Sequence, residues 1–183
     1  MPANDATLFL MRVYCHLCGT RYAAGQSNPW KCAGCGNVAY ENPVPTVAIV
    51  LFNDAGEVLV TVRGKEPFKG KHGLPAGFVG LKETLDEALK REVQEEISLK
   101  PEDYSELIYV GNFSGEYPFS KEVIVTLCSV FTAKLLPHGK PRADDDVASF
   151  TFVSLDKLGT IEFSRQAFPG LIRRASHIIL GQE

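Results

Sequence analysis

The chain has 183 residues, enough for one ordinary globular domain with a small appendage. Its 19 Lys and Arg residues against 22 Asp and Glu residues exclude a general positive field that would attract nucleic acid or an anionic membrane. No apolar run approaches the roughly 20 residues that a membrane-spanning helix needs, so we expect a cytoplasmic protein.

Cysteines distinguish the N-terminal segment, which has little apolar sequence from which to build a core. They form two Cys-x-x-Cys pairs, Cys15 with Cys18 and Cys32 with Cys35, and a glycine follows each pair. In a reducing compartment this pattern favours a closed, structural Zn²⁺ site of four thiolates. A redox Cys-x-x-Cys pair is the alternative, but two pairs without a following helix fit it poorly.

A proline-containing linker follows this segment at residues 41–45, because proline biases the residue before it away from helix. We therefore predict a zinc ribbon over residues 1–41 and a larger domain over residues 42–183. The fifth cysteine, Cys128, lies in an apolar run and is expected in the core. His16 and His72 are expected to have no functional part.

The larger domain combines predicted strands with two predicted helices. The strands are expected at residues 46–52, 57–62, 107–113, 123–133 and 147–153. A glycine-rich loop at residues 64–80 leads to the first helix, which should begin near Lys82 or Glu83, and the second helix should span residues 166–180. Every fourth residue of the first helix is apolar: Leu85, Leu89, Val93 and Ile97. The pattern indicates an α/β fold with helices packed against a mixed sheet.

Three glutamates of the first helix, Glu92, Glu95 and Glu96, stand at positions i, i+3 and i+4 and therefore share one helix face. Most such charge runs are solvated surfaces. The three carboxylates repel one another. Mg²⁺ or Mn²⁺, which prefer carboxylate ligands, would turn this repulsion into a binding site. Arg91 precedes Glu95 by four residues and can hold a carboxylate with two hydrogen bonds.

The segment from Gly77 to Leu99 resembles the Nudix box, Gly-x5-Glu-x7-Arg-Glu-U-x-Glu-Glu-x-Gly-U, in which U is a bulky aliphatic residue. The matching positions are Gly77, Glu83, Arg91, Glu92, Val93, Glu95, Glu96 and Leu99. The family's glycine at the end of the helix is Ser98 here, a residue that lacks the conformational freedom of glycine. The wider resemblance covers about residues 46–179.

This resemblance implies a Nudix fold, in which a mixed sheet lies between helices, and a hydrolase that cuts a diphosphate linkage. The implied ligands of Mg²⁺ or Mn²⁺ are Glu92, Glu95, Glu96 and the carbonyl of Gly77. Glu83 and Arg91 would support these ligands.

The general base differs among Nudix proteins, and two candidates remain here. One is Glu95. The other is an acid of the Asp144-Asp145-Asp146 run, because in similar proteins an acid at this place reaches the metals. Asp146 is the favoured member of the run, and a solvated loop of aspartates is the alternative interpretation.

A zinc ribbon before a Nudix domain resembles the NADH pyrophosphatase group and related FAD or ADP-ribose diphosphatases. That group carries Ser-Gln-Pro-Trp-Pro-Phe-Pro after the box, where this chain has Ser-Gly-Glu-Tyr-Pro-Phe-Ser at residues 114–120. Tyr117 and Phe119 are candidates for stacking on a substrate ring, although aromatic residues beside a strand are more often core residues. The expected substrate is a nucleoside diphosphate derivative such as NADH, ADP-ribose or FAD, and a nucleotide-capped RNA remains open.

A binding module is the competing hypothesis, in which the Nudix fold senses a nucleotide and the ribbon contacts nucleic acid or protein. Loss of carboxylates from the box would favour this hypothesis, and none is lost. The ribbon has only Arg12, Arg21 and Lys31 nearby, too few cations to indicate nucleic-acid binding. The ribbon could also serve as the contact of a homodimer.

Overall fold

A computed structural model describes residues 13–26, 28–120 and 122–181. The chain divides into two compact units. One comprises the residues up to Pro43 together with Glu116–Val125, and the other comprises Val44–Gly115 together with the chain from Thr126 onward. Within the described ranges, no helix is long and apolar enough to cross a lipid bilayer.

The first unit contains a short antiparallel hairpin of β1 (Trp30–Lys31) and β2 (Val38–Ala39). Its small buried cluster consists of Cys15, Tyr22, Trp30, Cys32 and Ala39. The rings of Tyr22 and Trp30 are 5.5 Å apart between their centroids. Because two of the five clustered residues are cysteines, the apolar core is very small, and such a unit normally needs a metal or disulfide to fold.

A mixed sheet forms the centre of the fold. Its strands are β3 (Val44–Phe52), β4 (Val58–Arg63), β5 (His72–Gly73), β6 (Ala76–Phe78), β7 (Ile108–Phe119), β8 (Glu122–Lys134) and β9 (Val147–Val153). They are hydrogen-bonded in the order β5-β4-β3-β8-β7, while β6 also pairs with β3 and β9 also pairs with β4. β3 and β8 are parallel, and β4 is antiparallel to β3, β5 and β9. The predicted α/β class with a mixed sheet is confirmed.

Two helices cover the sheet, α1 (Leu85–Ile97) and α2 (Phe168–Leu180). Buried residues of α1 cluster with Val47, Ile49 and Leu51 of β3, whereas those of α2 cluster with Ala48 and Val50. Successive residues of a strand point to opposite faces, so the two helices pack on opposite sides of the sheet.

The boundaries of several elements differ from the predictions. The glycine-rich loop contains β5 and β6, which are too short to show a periodic pattern. β7 extends to Phe119, because backbone pairing with β8 supports a strand even where its sequence is polar. α1 begins at Leu85, later than predicted, because Thr84 caps it: the Glu87 N–H donates to Thr84 Oγ1, and the Thr84 N–H donates to Glu87 Oε2.

The predicted apolar stripe of α1 is wrong at its first position. Leu89, Val93 and Ile97 are fully buried, but Leu85 is 37% exposed. A four-residue repeat drifts by about 40° per step around a helix of 3.6 residues per turn, so its first member has rotated away from the sheet. Ala88 and Glu96 are buried beside the remaining stripe.

Candidate active site and metal centres

The four cysteines of the ribbon are gathered at one point. Their Sγ atoms all lie within 4.8 Å of one another. The Sγ atoms of Cys15 and Cys35 are 3.7 Å apart, and those of Cys18 and Cys32 are 3.5 Å apart. Four sulfur donors at these distances suit a tetrahedral Zn²⁺ ion, so the cluster fits the predicted ribbon.

Both Cys-x-x-Cys pairs have the same backbone geometry. Gly19 and Gly36 have φ angles of 71° and 74°, in the left-handed region that favours glycine. Their N–H groups donate to the carbonyls of Cys15 and Cys32, both at 2.9 Å. The backbone N–H groups of Cys18 and Leu17 lower the pKa of Cys15 to about 6, whereas, despite the Asn37 N–H, hydrogen bonding with Cys18 and burial raise the pKa of Cys35.

In the second unit, Arg91 connects most of the acidic box residues. Its Nε and Nη2 bond both oxygens of Glu83, at 2.7 and 2.9 Å. Its Nη1 bonds Glu92 at 2.6 Å and Glu95 at 2.9 Å, and Nη2 also bonds the carbonyl of Phe78 at 2.9 Å. All five N–H donors of the guanidinium therefore have acceptors, and these acidic neighbours raise the pKa of Arg91.

Glu83 is held from two sides. The Arg91 guanidinium and the Gly80 N–H, which donates to Glu83 Oε2 at 2.7 Å, lower its pKa to about 2. Glu83 is thus a permanent anion whose two oxygens are already used by Arg91, which suits a supporting role better than metal ligation.

Glu92 is packed directly against the backbone of Gly77. A Cβ atom at residue 77 would lie 1.9 Å from the Glu92 Cδ atom, so only glycine fits there. Burial raises the pKa of Glu92 despite the opposing effect of Arg91, and the nearby charges of Glu95 and Asp146 raise it further. Placing another cation beside this carboxylate would relieve the cost of its burial.

Glu96 is the most buried acid of the helix, with 5% of the residue exposed. Its Oε2 accepts a hydrogen bond from the Ala76 N–H at 2.9 Å. Burial, together with the charges of Asp146 and Glu92, raises the pKa of Glu96 to about 9. Glu96, Glu92 and Asp146 are therefore close enough to repel one another.

The aspartate run is attached to the end of α1. The Arg142 and Asp144 N–H groups donate to the carbonyls of Ile97 and Glu96, both at 2.9 Å, and satisfy two acceptors that a helix end leaves open. This attachment brings Asp146 beside Glu96. Asp144 and Asp145 are exposed, as expected of a solvated loop, whereas the Asp146 side chain is only 19% exposed.

Asp146 Oδ1 is buried and has no hydrogen-bond partner, whereas Oδ2 bonds Arg63 at 2.8 Å. A buried carboxylate oxygen without a donor is costly unless a cation, or a proton shared with the neighbouring Glu96, reaches it. Together with Glu92 and Glu96, this oxygen makes a donor set of the hard kind that Mg²⁺ or Mn²⁺ prefers. The residues present therefore fit a divalent cation.

An open cleft of about 640 Å³ adjoins these acids, lined by Arg91, Gln94, Glu95, Asp144 and Asp145. The Glu95 side chain is 49% exposed there, so it is the box glutamate with most access to water.

Other predicted residues have simpler surroundings. Ser98 ends α1 at φ 55° and ψ 26°, the left-handed conformation that the family glycine would take, so the helix exit is retained. Cys128 is 4% exposed, which confirms its core position, and burial raises its pKa to about 11. Tyr117 is half-buried and Phe119 is 53% exposed at the end of β7, in the unit that contains the ribbon.

Sequence reasoning did not identify Arg63 or the Ala76 N–H. Arg63 ends a strand among other charged residues, and no spacing in the sequence ties it to Asp146. The Ala76 N–H is a backbone group, which only the pairing of β6 places opposite Glu96.

Comparison with known proteins agrees with this geometry. The NUDIX domain model matches residues 42–173. An ADP-ribose pyrophosphatase of Methanocaldococcus jannaschii is 31% identical over 127 residues, which cover 69% of this chain and 71% of that protein. The NAD-capped RNA hydrolase NudC of Pseudomonas aeruginosa is 28% identical over 160 residues, which cover 87% of this chain but 54% of that protein. The chain thus spans about half the length of that relative.

A solved structure shows the same fold. The NUDIX domain of Shewanella oneidensis NrtR, determined with ADP-ribose, has a TM-score of 0.61 and 19% identity, and the match covers 76% of this chain and 90% of that one. The family model spans most of the second unit, including the whole carboxylate site. The chain therefore belongs to the Nudix family of pyrophosphohydrolases.

Proposed function

We propose that this protein uses Mg²⁺ or Mn²⁺ to hydrolyse the diphosphate linkage of a nucleoside diphosphate derivative of the dinucleotide or nucleotide-sugar type. The observation that carries the proposal is that Glu92, packed against Gly77, lies near enough to Glu96 and Asp146 for their charges to interact, with one Asp146 oxygen buried without a hydrogen-bond donor. Structural Zn²⁺ in the four-cysteine cluster completes the proposed metal content.

The metal ligands in this proposal are Glu92, Glu95, Glu96, Asp146 and the carbonyl of Gly77. When bound, the divalent cations supply positive charge to the diphosphate oxygens and make water easier to deprotonate. Arg91 and Glu83 fix the glutamates before substrate arrives, so little reorganisation is needed during the reaction.

Glu95 is our candidate for accepting the proton of the attacking water. It lines the cleft and is 49% exposed, whereas Asp146 is 19% exposed and ion-paired to Arg63. A general base must reach the water that it deprotonates, which favours the accessible carboxylate. Asp146 is then assigned to metal binding.

Two lines of support favour ADP-ribose, NADH or FAD over a nucleoside triphosphate. The relatives act, by their names, on ADP-ribose or NAD-capped RNA. The residues Tyr117, Pro118 and Phe119 retain part of the aromatic motif of the NADH pyrophosphatase group. A nucleotide-capped RNA remains a candidate on the same chemistry.

The test is a metal-dependent hydrolysis panel over NADH, NAD, ADP-ribose, FAD, diadenosine polyphosphates and nucleoside triphosphates. We expect the highest kcat/KM for a dinucleotide or ADP-ribose. A higher kcat/KM for any triphosphate would contradict the substrate class, and inactivity across the panel would favour the binding-module hypothesis.

The stacking role of the aromatic residues needs its own variants. Phe119→Ala should raise KM for NADH or ADP-ribose about tenfold, because stacking on an aromatic ring contributes roughly 1–3 kcal/mol. Val123→Ala is the matched control, since Val123 is a similarly exposed apolar residue of β8 in the same unit. Equal KM values for the two variants would remove Phe119 from the site.

A further inference from the structure

We infer that Arg63 is a positioning residue of the catalytic site, which holds Asp146 at the metal-binding carboxylates and fixes the loop at residues 64–70 to the same point. The inference rests on the proposed function, because it assigns Asp146 to metal binding. Arg63 lies outside the Nudix box, at the end of β4.

Two contacts of the Arg63 side chain carry the inference. Its Nη1 bonds Asp146 Oδ2 at 2.8 Å, and its Nε bonds the Pro67 carbonyl at 2.7 Å. The ion pair is largely shielded from water, since the two side chains are 26% and 19% exposed. A guanidinium can direct donors at two acceptors at once, whereas an ammonium is a single point charge.

The backbone around Arg63 is built to meet Asp146. β4 and β9 pair regularly as far as Val62 opposite Ser149, and the next pair is Arg63 opposite Val147. The extra residue, Ala148, forms a bulge, a feature that often re-aims side chains near active sites. The adjacent Gly64 N–H also donates to the Asp146 carbonyl at 2.6 Å.

Gly64 makes this close approach possible. A Cβ atom there would lie 3.1 Å from the Asp146 carbonyl oxygen, tighter than ordinary van der Waals contact. Asp146 is therefore fixed twice, through its carboxylate by Arg63 and through its backbone by Gly64. With Oδ2 occupied by Arg63, Oδ1 is the oxygen left available to a cation beside Glu96.

The loop after β4 is closed on the same residue. The Arg63 N–H donates to the Lys71 carbonyl at 3.0 Å, and the Gly70 N–H donates to the Arg63 carbonyl at 2.8 Å. Between these anchors, Phe68 has a φ of 68°, an unfavourable conformation for an aromatic residue that persists only where its surroundings impose it. Arg63 bonds the carbonyl of Pro67, immediately before Phe68. One side chain therefore holds both the Asp146 carboxylate and the loop at residues 64–70.

A purely structural ion pair would predict a different result from a positioning role. If Arg63 only stabilised the fold, its loss would lower Tm without changing metal affinity in the folded protein. If it positions Asp146, its loss should weaken binding of the divalent cation itself, before any substrate is present.

The experiment measures Mn²⁺ binding to the zinc-loaded full chain by electron paramagnetic resonance, together with the Mg²⁺ concentration for half-maximal hydrolysis. Arg63→Met should raise the Mn²⁺ Kd and the half-activating Mg²⁺ concentration about tenfold and lower kcat. Lys65→Met is the matched control, since it breaks the neighbouring exposed ion pair with Asp145 and removes the same charge. It should change both values less than twofold.

Folded Arg63→Met protein with Mn²⁺ affinity within twofold of the wild type would overturn the inference. If that variant does not fold, Arg63→Lys decides, because a lysine carries all its donors on one atom, which cannot occupy the positions of both Nε and Nη1. A threefold or larger loss of Mn²⁺ affinity supports positioning, and a smaller loss overturns it. Mn²⁺ binding does not depend on turnover, so a wild-type protein that binds Mn²⁺ yet hydrolyses nothing would contradict the proposed function alone.

Discussion

In the ribbon, four Sγ atoms lie within 4.8 Å of one another, and they are the one such gathering of metal-binding side chains among residues 13–26, 28–120 and 122–181. In the Nudix site, Glu92 and Glu95 are instead hydrogen-bonded to Arg91, and Asp146 is bonded to Arg63. Backbone turns after each Cys-x-x-Cys pair position the sulfurs, whereas guanidinium groups lie between the carboxylates and offset their mutual repulsion. The proposed Zn²⁺ donors are thus assembled by the backbone, and the proposed Mg²⁺ or Mn²⁺ donors are restrained by arginines.

Each centre also contains a glycine whose Cα is covered by a side chain. A Cβ at Gly34 would lie 2.3 Å from Thr20 Oγ1, and a Cβ at Gly77 would lie 1.9 Å from Glu92 Cδ. In the ribbon, the contact joins the two halves of a structural cluster. At Gly77, the contact fixes a carboxylate that we propose as a metal ligand, so we expect a similar substitution to change activity only in the Nudix site.

The largest expected effect is on turnover. Glu96→Gln should lower kcat at least about 10³-fold, which corresponds to about 4 kcal/mol of transition-state stabilisation, because an amide lacks the charge that a hard cation requires. Hydrolysis of the best substrate of the panel at saturating Mg²⁺ measures it. Glu87→Gln, the same change in the first turn of α1, should keep near-normal activity, and near-normal activity of Glu96→Gln would remove Glu96 from the metal site.

The second prediction concerns the ribbon. Cys15→Ser should release about one Zn²⁺ per chain and cost several kcal/mol of folding free energy in residues 13–41, because metal binding there substitutes for a core. Elemental analysis and hydrogen exchange measure both effects. Cys128→Ser is the control and should retain zinc, since Cys128 is a buried core residue. Carefully purified wild-type protein without zinc would contradict the prediction.

Gly77→Ala tests the seat of Glu92. The added Cβ must displace the carboxylate, so we expect a loss of about 1–3 kcal/mol in unfolding free energy and at least about tenfold in kcat. Gly159→Ala is the control, because a Cβ at that position would meet no atom within 4 Å beyond its neighbours in the chain. Denaturant unfolding measures the change in unfolding free energy, and hydrolysis assays measure the change in kcat. If Gly77→Ala and Gly159→Ala gave the same values, Glu92 would be able to move aside without loss of stability or activity.

The pH dependence of stability tests the buried acid. Burial raises the pKa of Glu96 from 4.5 to about 9, so the folded state binds a proton that the unfolded state releases. The bound proton therefore contributes to the stability of the folded state. Without added Mg²⁺ or Mn²⁺, and with zinc retained, this stabilisation is fully present below pH 4.5 and is lost as the pH rises toward 9. Glu96→Gln lacks this loss and should be more stable than the wild type at pH 7, by up to about 3 kcal/mol. A stability difference independent of pH would contradict the assignment.

The smallest effect is expected at the helix exit. Ser98 has a φ of 55°, a left-handed conformation that costs less for glycine, so Ser98→Gly should raise the unfolding free energy by roughly 0.5–1 kcal/mol. Ser98→Ala removes the hydroxyl but keeps the unfavourable conformation and should give no gain. Thermal unfolding of both variants measures the difference, and a gain for alanine equal to that for glycine would point to the hydroxyl instead.

The amino-acid sequence by itself determined the features that depend on local spacing. Two Cys-x-x-Cys pairs followed by glycines predicted the cysteine cluster, and the box from Gly77 to Leu99 predicted the fold and the helix that carries the glutamates. These patterns are readable because a turn around sulfur and a helical repeat are set by residues close together in the chain.

The tertiary structure alone decided which distant groups meet. The bulge between β4 and β9 brings Arg63 to Asp146, the pairing of β6 with β3 presents the Ala76 N–H to Glu96, and the capped end of α1 holds the aspartate loop. These contacts depend on strand register and loop closure over many tens of residues, which leave no periodic signal in the sequence. Burial, and with it the raised pKa of Glu96, follows from that packing and not from the identity of the residue.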